Sequence, residues 1–213
     1  MNETFIQLGI NPALISGMEK AGITFPTQIQ AEAIPPALTG KDIVGQSATG
    51  TGKTLAFLLA LFHKIDVSKR EMQAIILAPT HELAMQIFHA AELLAKNSAM
   101  PVTAAPIIGD VNIVRQIDKL KERPHIIIGS SGRILELIQK RKINAQTVKT
   151  IVLDEADRLL DDNNRSSVEA IIKTTQKDRQ LMLFSATITS AAMEKAAGWL
   201  KEPAVIAVQP ETA

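Results

Sequence analysis

Seven short apolar runs constrain the fold of this 213-residue chain more than any other feature. None of them alternates polar with apolar residues, and stretches with helical spacing such as "HELAMQIFHAAELLAKN" lie between them. Such runs are typical of parallel strands buried on both faces and joined by helices in βαβ units. The runs cover residues 42–47, 74–79, 102–108, 125–130, 150–157, 181–187 and 204–208. We therefore predict an α/β fold, a doubly wound and mainly parallel sheet with helices on both faces.

The two ends of the chain differ from this alternating pattern. Residues 1–40 have the spacing of two short helices that precede the first strand, and residues 209–213 follow the last strand as a polar segment containing proline. We predict one domain over residues 1–208, with a helical extension at 1–40 and the start of a linker or tail at 209–213.

Composition excludes several classes of protein. The apolar run "LAFLLALF" falls far short of the roughly 20 residues that a membrane span needs. The start "MNETFIQLGI" has neither the basic region nor the cleavage site of a signal peptide. The chain has no cysteine, which excludes a disulfide framework and a thiolate metal site. We expect a cytoplasmic protein, monomeric and without a membrane partner.

The charge balance limits how this chain could hold a nucleic acid. It has 23 Lys and Arg against 22 Asp and Glu, and it has no tyrosine. A platform of aromatic side chains that stacks successive bases is therefore disfavoured. Any contact with nucleic acid is expected to be to the sugar-phosphate backbone.

The glycine-rich stretch "SATGTGKT" (47–54) separates an apolar run from a helical one. It is either a turn rich in small residues or a nest of backbone amides that holds phosphate at a helix start. In the second case Lys53 reaches the terminal phosphates and the Thr54 hydroxyl is a ligand for Mg²⁺. The strict pattern G-x-x-x-x-G-K-[ST] fails, since position 47 is Ser. The lysine and threonine at the helix start favour phosphate binding.

The acidic stretch "DEAD" (154–157) ends another apolar run about 100 residues later. A nucleotide hydrolase needs one carboxylate near its metal ion and another to position or deprotonate water. Asp154 suits the metal, through a coordinated water, and Glu155 suits the general base. A solvated acidic turn is the alternative for either residue alone, and the glycine loop makes it the weaker one.

Other polar stretches also follow apolar runs. "APTHELA", "GSSGR" and "SAT" stand, like the two stretches above, where a predicted strand stops. In open parallel sheets the carboxyl ends of the strands form the binding edge. We therefore expect all five to meet at one edge of the sheet.

In this combination the chain resembles the amino-terminal RecA-like domain of DEAD-box RNA helicases. "GITFPTQIQ" (22–30) is similar to the adenine-recognising Q motif, and Phe5 lies seventeen residues before its Gly22. "SATGTGKT" resembles motif I, "PTHELA" motif Ia, "SSGR" motif Ib, "DEAD" motif II and "SAT" motif III. The motifs occur in the family's order over essentially the whole chain. No single motif is specific, but the set is.

The resemblance implies ATP as the nucleotide. The amide of Gln30 can pair at two points with adenine N6 and N7, which guanine does not offer. Ile23 stands where family members often have an aromatic residue, so it is expected to offer an apolar face to the purine. Thr27 is expected to tie this segment to the phosphate loop. The resemblance assigns ATP binding to Phe5, Ile23, Thr27, Gln30, Ser47, Ala48, Thr49, Gly50, Thr51, Gly52, Lys53 and Thr54.

The resemblance also implies catalysis and coupling. Glu155, Lys53 and Asp154 are the expected catalytic residues, with Thr54 and Asp154 at Mg²⁺. Ser185 and Thr187 are expected to bond Asp157 and so to link the state of the nucleotide to the grip on RNA.

The RNA-binding motifs depart from the family pattern. His81 replaces the usual Arg, Asp110 the usual Gly, and Ser130-Ser131 the usual Thr-Pro. Ser131 is expected to cap the next helix, and Arg133 either contacts RNA or forms an ion pair within the domain. The residues assigned to the backbone of single-stranded RNA or of a duplex end are Pro79, Thr80, His81, Glu82, Gly109, Ser130, Ser131, Gly132 and Arg133. The basic run "QKRKINAQ" reads better as a solvated loop.

Nothing after "SAT" resembles the second RecA-like domain with which family members continue. We expect that domain, as a partner, to supply arginines at the γ-phosphate and half of the RNA cleft. This chain is then the ATP- and RNA-binding half of a helicase, nearly inactive alone. The alternative is a stand-alone nucleotide-binding or partner-scaffolding module, and a P-loop kinase is disfavoured because no lid for a second substrate follows the loop.

Overall fold

A computed structural model describes residues 4–109 and 111–209 and shows seven strands in one sheet. Every pairing in the sheet is parallel, so the predicted fold class is confirmed. The strands are β1 (Ile43–Gln46), β2 (Ala74–Leu77), β3 (Ala104–Ile107), β4 (Ile126–Gly129), β5 (Thr150–Asp154), β6 (Gln180–Ser185) and β7 (Ala204–Ala207). Each falls within or at the edge of one of the seven apolar runs. Their spatial order is β3-β4-β2-β5-β6-β1-β7.

Helices occupy the segments between the strands. They are α1 (Pro12–Lys20), α2 (Gln28–Leu38), α3 (Lys53–Lys64), α4 (His81–Ser98), α5 (Ile113–Lys121), α6 (Ser131–Gln139), α7 (Ala156–Leu159), α8 (Arg165–Thr174) and α9 (Ser190–Ala196). The two helices expected before the first strand are thus present as α1 and α2. Among the described helices, none has both the length and the apolar character needed to cross a bilayer.

The core lies in two layers, one on each face of the sheet. Alternate residues of each strand point to opposite faces, so Ile76 and Met182 enter one layer while Ile75 and Leu183 enter the other. The first layer is covered by α1 to α4 and the second by α5 to α9. The inner strands are apolar throughout because both faces are buried, which explains the lack of alternation in the sequence.

A buried aspartate fixes the amino end of β1 between its neighbours. Asp42 accepts a hydrogen bond from the backbone of Leu181 at 2.7 Å and another from Lys201 at 2.8 Å. Its own carbonyl accepts from Ala204 at 2.8 Å. These bonds hold β1 in register between β6 and β7, which sets the position of the loop that follows β1.

His125, just before β4, is a buried histidine held in the neutral form. Its Nδ1 accepts a hydrogen bond from the backbone N–H of Thr103 at 3.1 Å, and Nε2 has no protein partner. Burial lowers the pKa of His125, and the nearby Arg70 lowers it further, although Asp66 opposes them. A protonated ring would lose the bond from the Thr103 N–H, and its buried charge would have the Thr103 hydroxyl, 3.0 Å from Nδ1, to donate to.

We expect His125 to make the fold sensitive to acid. Its pKa is lower in the folded than in the unfolded chain, so the unfolded state binds more protons and stability falls as the pH drops below about 6.5. H125N keeps an acceptor for Thr103 but cannot titrate. Its melting temperature should therefore fall less than that of the wild type between about pH 7 and about pH 5.

The exposed His89 provides the matched control. H89N should lose stability with pH as the wild type does, since that ring lies at the surface. Parallel curves for wild type and H125N would contradict the assignment to His125.

Candidate functional site

The strand order divides the predicted site residues into two neighbouring groups. The glycine loop follows β1, "SAT" begins at the end of β6 and "DEAD" at the end of β5, and these three strands are adjacent. The segments assigned to RNA follow β2, β3 and β4, which form the other half of the sheet. All share the carboxyl edge, as the sequence predicts. Their grouping into halves depends on the strand order.

In the glycine loop between β1 and α3, the lysine side chain bonds the backbone of the loop itself. Lys53 Nζ donates to the carbonyls of Ser47 at 2.6 Å and Ala48 at 2.7 Å. The hydroxyls of Ser47 and Thr51 are 2.6 Å apart. Burial lowers the pKa of Lys53, while the nearby carboxylates, chiefly that of Asp154, raise it. The loop thus holds an amine in a half-buried position surrounded by carbonyls and acids.

Gln30 connects the helical extension to this loop. Its Nε2 donates to the Gly52 carbonyl at 3.1 Å, and its Oε1 accepts from the backbone N–H of Thr27 at 3.0 Å. Gly52 has φ +98°, a conformation that L side chains rarely adopt, and Thr27 and Gln30 lie directly against it. The hydrogen bond between this segment and the glycine loop is therefore made by Gln30, and Thr27 lies close to Gly52.

An open cleft of about 550 Å³ lies in front of the loop. Thr49, Gly50, Gly52, Lys53 and Thr54 line it from the loop, and Asp154, Glu155 and Asp157 line it from the end of β5. The lining also contains residues that the sequence analysis missed: Leu83, Gln86, Arg158 and Ala186. Leu83 and Gln86 share a face of α4, so the helical spacing after "PTHELA" was the signal that could have found them.

The carboxylates of Asp154 and Glu155 have different environments. Asp154 is buried and accepts from the Glu155 backbone at 3.0 Å. Burial raises the pKa of Asp154 to about 6, despite the opposing backbone bond and Lys53. Glu155 has φ +50° and begins α7, where its Oε2 pairs with Arg158 at 2.9 Å. The Asp154 carboxylate is thus desolvated beside Lys53. The Glu155 carboxylate is partly exposed and forms an ion pair with Arg158.

Asp157 makes the hydrogen bonds that the resemblance implies. Ser185 Oγ donates to Asp157 Oδ1 at 2.6 Å, and Thr187 Oγ1 donates to Oδ2 at 2.8 Å. Burial raises the pKa of Asp157, but these bonds outweigh it and the net shift is downward. The backbone carbonyl of Ser185 also accepts from the Ser47 N–H at 3.1 Å. Ser185 therefore joins the glycine loop to the acidic segment, a connection that the sequence analysis did not foresee.

Thr54 and Asp154 face the same cleft with hard oxygen donors, the type that Mg²⁺ prefers. Within residues 4–109 and 111–209, no group of three or more His, Asp or Glu residues is placed to hold a metal ion by itself. A divalent cation here would need further oxygens from a ligand.

Seven residues assigned to ATP do not line this cleft: Phe5, Ile23, Thr27, Gln30, Ser47, Ala48 and Thr51. Phe5 is a buried member of the first core layer, so we expect it to support the site by packing and not by contact. Ile23 packs partly against the same layer and lines a second cavity together with Thr27 and Gln30, and this cavity shares Gly52 and Thr54 with the cleft.

The segments assigned to RNA are ordered by bonds within the domain. Thr80 caps α4, where its hydroxyl accepts from the Leu83 N–H at 3.2 Å. Pro79, His81 and Glu82 flank this cap at the start of α4. The capped start of this helix lies at the same edge of the sheet as the cleft.

The structure corrects the expectation for Ser131. The N-cap of α6 is Ser130, and Ser131 is the first helical residue. Ser131 is buried, and its hydroxyl accepts from Ser167 Oγ at 2.7 Å, which joins α6 to α8. Because Ser131 lies one position inside the cap, its side chain points to α8 and links the two helices there.

The sequence left two roles open for Arg133, contact with RNA or an ion pair within the domain, and the structure shows the ion pair. Its Nε lies 3.0 Å from Glu136, and its guanidinium donates to the carbonyls of Gly109 and Val111. Arg133 thereby holds the loop after β3 against the start of α6. Asp110, which replaces the glycine usual in the family, lies outside the described residues.

Comparison with known protein families finds a match that covers the strands and loops of this site. A family model described as DEAD/DEAH box helicase matches residues 27–196. The DEAD-box ATP-dependent RNA helicase CshC of Bacillus cereus is 45% identical over 199 residues, which cover 93% of this chain and 51% of that protein. A probable ATP-dependent RNA helicase of Bacillus subtilis, YfmL, is 42% identical over 97% of this chain and 52% of its own length. The chain spans about half the length of these curated relatives.

Solved structures agree with the sequence relatives. A DEAD box protein from the hyperthermophile Methanococcus jannaschii superposes with a TM-score of 0.91 and 32% identity, over 97% of this chain and 56% of that one. Saccharomyces cerevisiae Dbp5, bound to RNA and ADP BeF3, superposes with a TM-score of 0.87 and 30% identity, over 97% of this chain and 52% of that one.

The contact between Gly52 and Gln30 predicts different effects for two glycine substitutions in one loop. G50A and G52A both place a side chain at positive φ, at a cost of about 1–2 kcal/mol. Only at Gly52 would the new Cβ collide with the Gln30 amide, whereas the space at Gly50 is open. G52A should therefore be less stable than G50A by about 1–3 kcal/mol in urea unfolding. Equal losses would show that Gln30 moves aside freely.

Proposed function

The chain belongs to the DEAD/DEAH box helicase family, and we propose that it is the ATP- and RNA-binding amino-terminal domain of an ATP-dependent RNA helicase. The observation that carries the proposal is the meeting of three segments at adjacent strand ends. The lysine loop after β1, Ser185 at the end of β6 and the acidic residues after β5 are joined by direct hydrogen bonds. The family assignment favours this function over a stand-alone scaffolding module.

The cleft in front of the loop is the proposed site for the ATP phosphates. Lys53 Nζ now bonds two loop carbonyls, and phosphate oxygens would take over those donors. The amides at the start of α3 and the helix dipole add attraction for anions. Binding is thus an exchange of contacts internal to the loop for contacts to phosphate.

The acidic residues of the cleft have proposed roles that follow from their environments. Thr54 and Asp154 would hold Mg²⁺ together with phosphate oxygens, and the bound ion would neutralise charge on the transferred phosphoryl group. Glu155 is the proposed base for the attacking water. Its pairing with Arg158 orients the carboxylate, and proton acceptance requires that this ion pair loosen.

Adenine selectivity is proposed for Gln30. A glutamine amide has two N–H donors and two acceptor lone pairs, and the bonds to Gly52 and Thr27 use one of each. One donor and one lone pair are left on the wall of the second cavity, which supports two-point pairing with a base. The side chain would hold the loop and read the base at once.

RNA binding is proposed along the half of the edge formed by β2, β4 and β3. The amides at the start of α6 would bind backbone phosphates, the helix dipole at the start of α4 would attract them, and Arg133 positions the loop after β3. The α4 helix belongs to both halves, since Thr80 lies at its start and Leu83 and Gln86 line the nucleotide cleft. We propose that RNA and nucleotide communicate through α4 and through Ser185.

A second RecA-like domain is the proposed partner that completes both sites. The cytoplasmic location and the monomeric state stay predictions.

Nucleotide titrations test the binding site. K53A should weaken Mg-ADP and Mg-GDP alike, by roughly ten-fold to a hundred-fold, because a charged phosphate contact is lost. Q30A should weaken ADP by roughly ten-fold with a smaller effect on GDP. Gln28 is exposed and donates to Glu32, so it is the matched control, and Q28A should behave as the wild type. Equal affinities of the wild type for ADP and GDP would contradict the role of Gln30.

Phosphate release tests the catalytic proposal. The chain alone should hydrolyse ATP negligibly even with RNA, because an arginine finger supplied by another domain is worth about 10³–10⁵ in rate. Fusion to the second domain of a relative should give turnover stimulated by RNA, which E155Q abolishes without loss of ATP binding. E19Q, at an exposed acid on α1, should retain turnover. Vigorous turnover by the chain alone, lost in E155Q, would show that this domain is complete by itself.

A further inference from the structure

The segments that lead into β2, β4, β5 and β6 bring basic residues to the edge of the sheet opposite the cleft. These four strands are neighbours, in the order β4-β2-β5-β6. The segment before β5 has four lysine and arginine residues and no acid between positions 140 and 149. We call the surface formed by the four segments the basic edge, and it comprises residues 65–73, 118–125, 140–149 and 173–179.

The basic edge has exposed cations whose side chains form no hydrogen bond or ion pair within residues 4–109 and 111–209. At the carboxyl edge, by contrast, Lys53, Arg133 and Arg158 bond carbonyls or carboxylates of the domain. The cations available to an external anion on the basic edge are Arg70, Lys119, Arg123, Arg141, Lys142 and Lys177.

Hydrogen bonds join the four segments into one surface. Thr147 Oγ1, before β5, donates to the carbonyl of Met72, before β2, at 2.7 Å. The Gln73 N–H donates to the carbonyl of His125, before β4, at 2.8 Å. Gln176, before β6, donates through Nε2 to Gln146 Oε1 at 2.7 Å. The cations are thus carried by connections that brace one another.

Two hollows of about 550 and 350 Å³ open on this surface, and both are lined by Arg70 and Arg123. Glu122 lines the first and Glu71 the second, but among the described residues neither forms an ion pair with these arginines. A guanidinium group binds phosphate oxygens at two points, so a pair of them around a hollow suits a phosphate-bearing ligand.

Two of the arginines occupy a backbone conformation that favours glycine. Arg123 has φ +53° and Arg141 φ +57°, and each follows the C-cap of a helix, α5 or α6. Glycine is the usual residue at such a position. The dipole of α5 does not require Arg123, because Lys119 and Lys121 already lie in its last turn. Strain of this kind is typical of functional positions.

We propose that the basic edge binds the phosphate backbone of a double-helical segment of RNA. The choice of RNA as the polyanion depends on the proposed function, whereas the surface is separate from the segments assigned to RNA at the carboxyl edge. A folded RNA could then be held by one of its helices while another part of it reaches the carboxyl edge.

The shape and composition of the basic edge favour a duplex over a single strand. The amino ends of four neighbouring strands span about 15 Å, and a nucleic acid duplex presents a phosphate about every 1.7 Å along its axis. The four segments contain no Phe, Tyr or Trp on which unpaired bases could stack. Recognition through the backbone, without reading of sequence, is the usual mode for double-stranded RNA.

Replacing the two strained arginines by glycine separates binding from stability. R123G/R141G should raise the melting temperature, because both positions favour glycine. The same variant should bind a hairpin RNA roughly ten-fold more weakly at low salt, and the slope of log K against log salt should fall by about 2. Its affinity for an unstructured single strand should stay nearly unchanged. Fluorescence anisotropy of labelled RNA over a salt series, with thermal melts of the same samples, measures both.

Two control variants test whether charge on the basic edge is responsible. Ala99 is exposed and uncharged at the end of α4, and it also has positive φ, +54°. A99G should therefore raise the melting temperature and leave the affinity for the hairpin unchanged. E122Q removes an acid beside the first hollow and should tighten hairpin binding.

Photo-crosslinking with peptide mapping locates each RNA. The hairpin stem should crosslink to the basic edge, and the single strand to the segments after β2 and β4. Stem crosslinks confined to those segments, or hairpin binding by R123G/R141G equal to that of the wild type, would overturn the proposal. So would competition by polyglutamate as strong as that by duplex RNA, since the basic edge would then be a site for an acidic protein.

The two RNAs also separate this inference from the proposed function. If the wild type binds the hairpin through the basic edge but does not bind the single strand, the basic edge is supported and RNA binding at the carboxyl edge is contradicted. If the single strand binds and the hairpin stem does not, the proposed function stands and the basic edge is contradicted. Failure to bind either RNA contradicts both.

Discussion

The parallel pairing of β6 between β1 and β5 is the constraint on which the site depends. All six residues of β6 are buried, so its register is fixed by packing on both faces of the sheet. At its end, the Ser185 carbonyl bonds the glycine loop and the Ser185 hydroxyl bonds Asp157. A shift of one residue in β6 would turn this hydroxyl to the other face and disconnect the two segments.

The cleft holds the Lys53 ammonium close to three carboxylates. Lys53 is half buried near Asp154, Glu155 and Asp157, and Asp154 is buried with its pKa raised to about 6. Burial disfavours both charged groups, and their mutual attraction offsets part of that cost. The lysine uses its donors on loop carbonyls, and Gln30 holds Gly52. The cleft is therefore shaped by bonds within the chain, and an anion bound by Lys53 would have to replace these internal bonds.

The helical extension has a direct part in the site although it precedes the sheet. The α2 helix begins at Gln28, with Gln30 in its first turn, and α1 lines the second cavity with the segment that contains Phe25. Both helices pack on α3 and α4 through the first core layer. Burial of Phe5 fastens the chain before α1 to the same layer, so a residue distant from the cleft supports the wall of the second cavity.

The sequence by itself determined the strands, the parallel class of the sheet and the edge at which the site residues meet. Buried parallel strands must be apolar throughout, and strand ends must carry the polar residues, so the local pattern contains this information. The motifs further indicated Lys53, the acidic segment and the bonds from Ser185 and Thr187 to Asp157. Only the tertiary structure decided the strand order, which gathers the segments assigned to the nucleotide at the ends of β5, β6 and β1 and the segments assigned to RNA at the ends of β3, β4 and β2. It also decided that Ser131 bonds Ser167 of α8, that Arg133 holds the loop after β3 and that the Phe25 side chain is exposed. These depend on which non-local elements pack together, and no residue pattern within one segment specifies its distant neighbours.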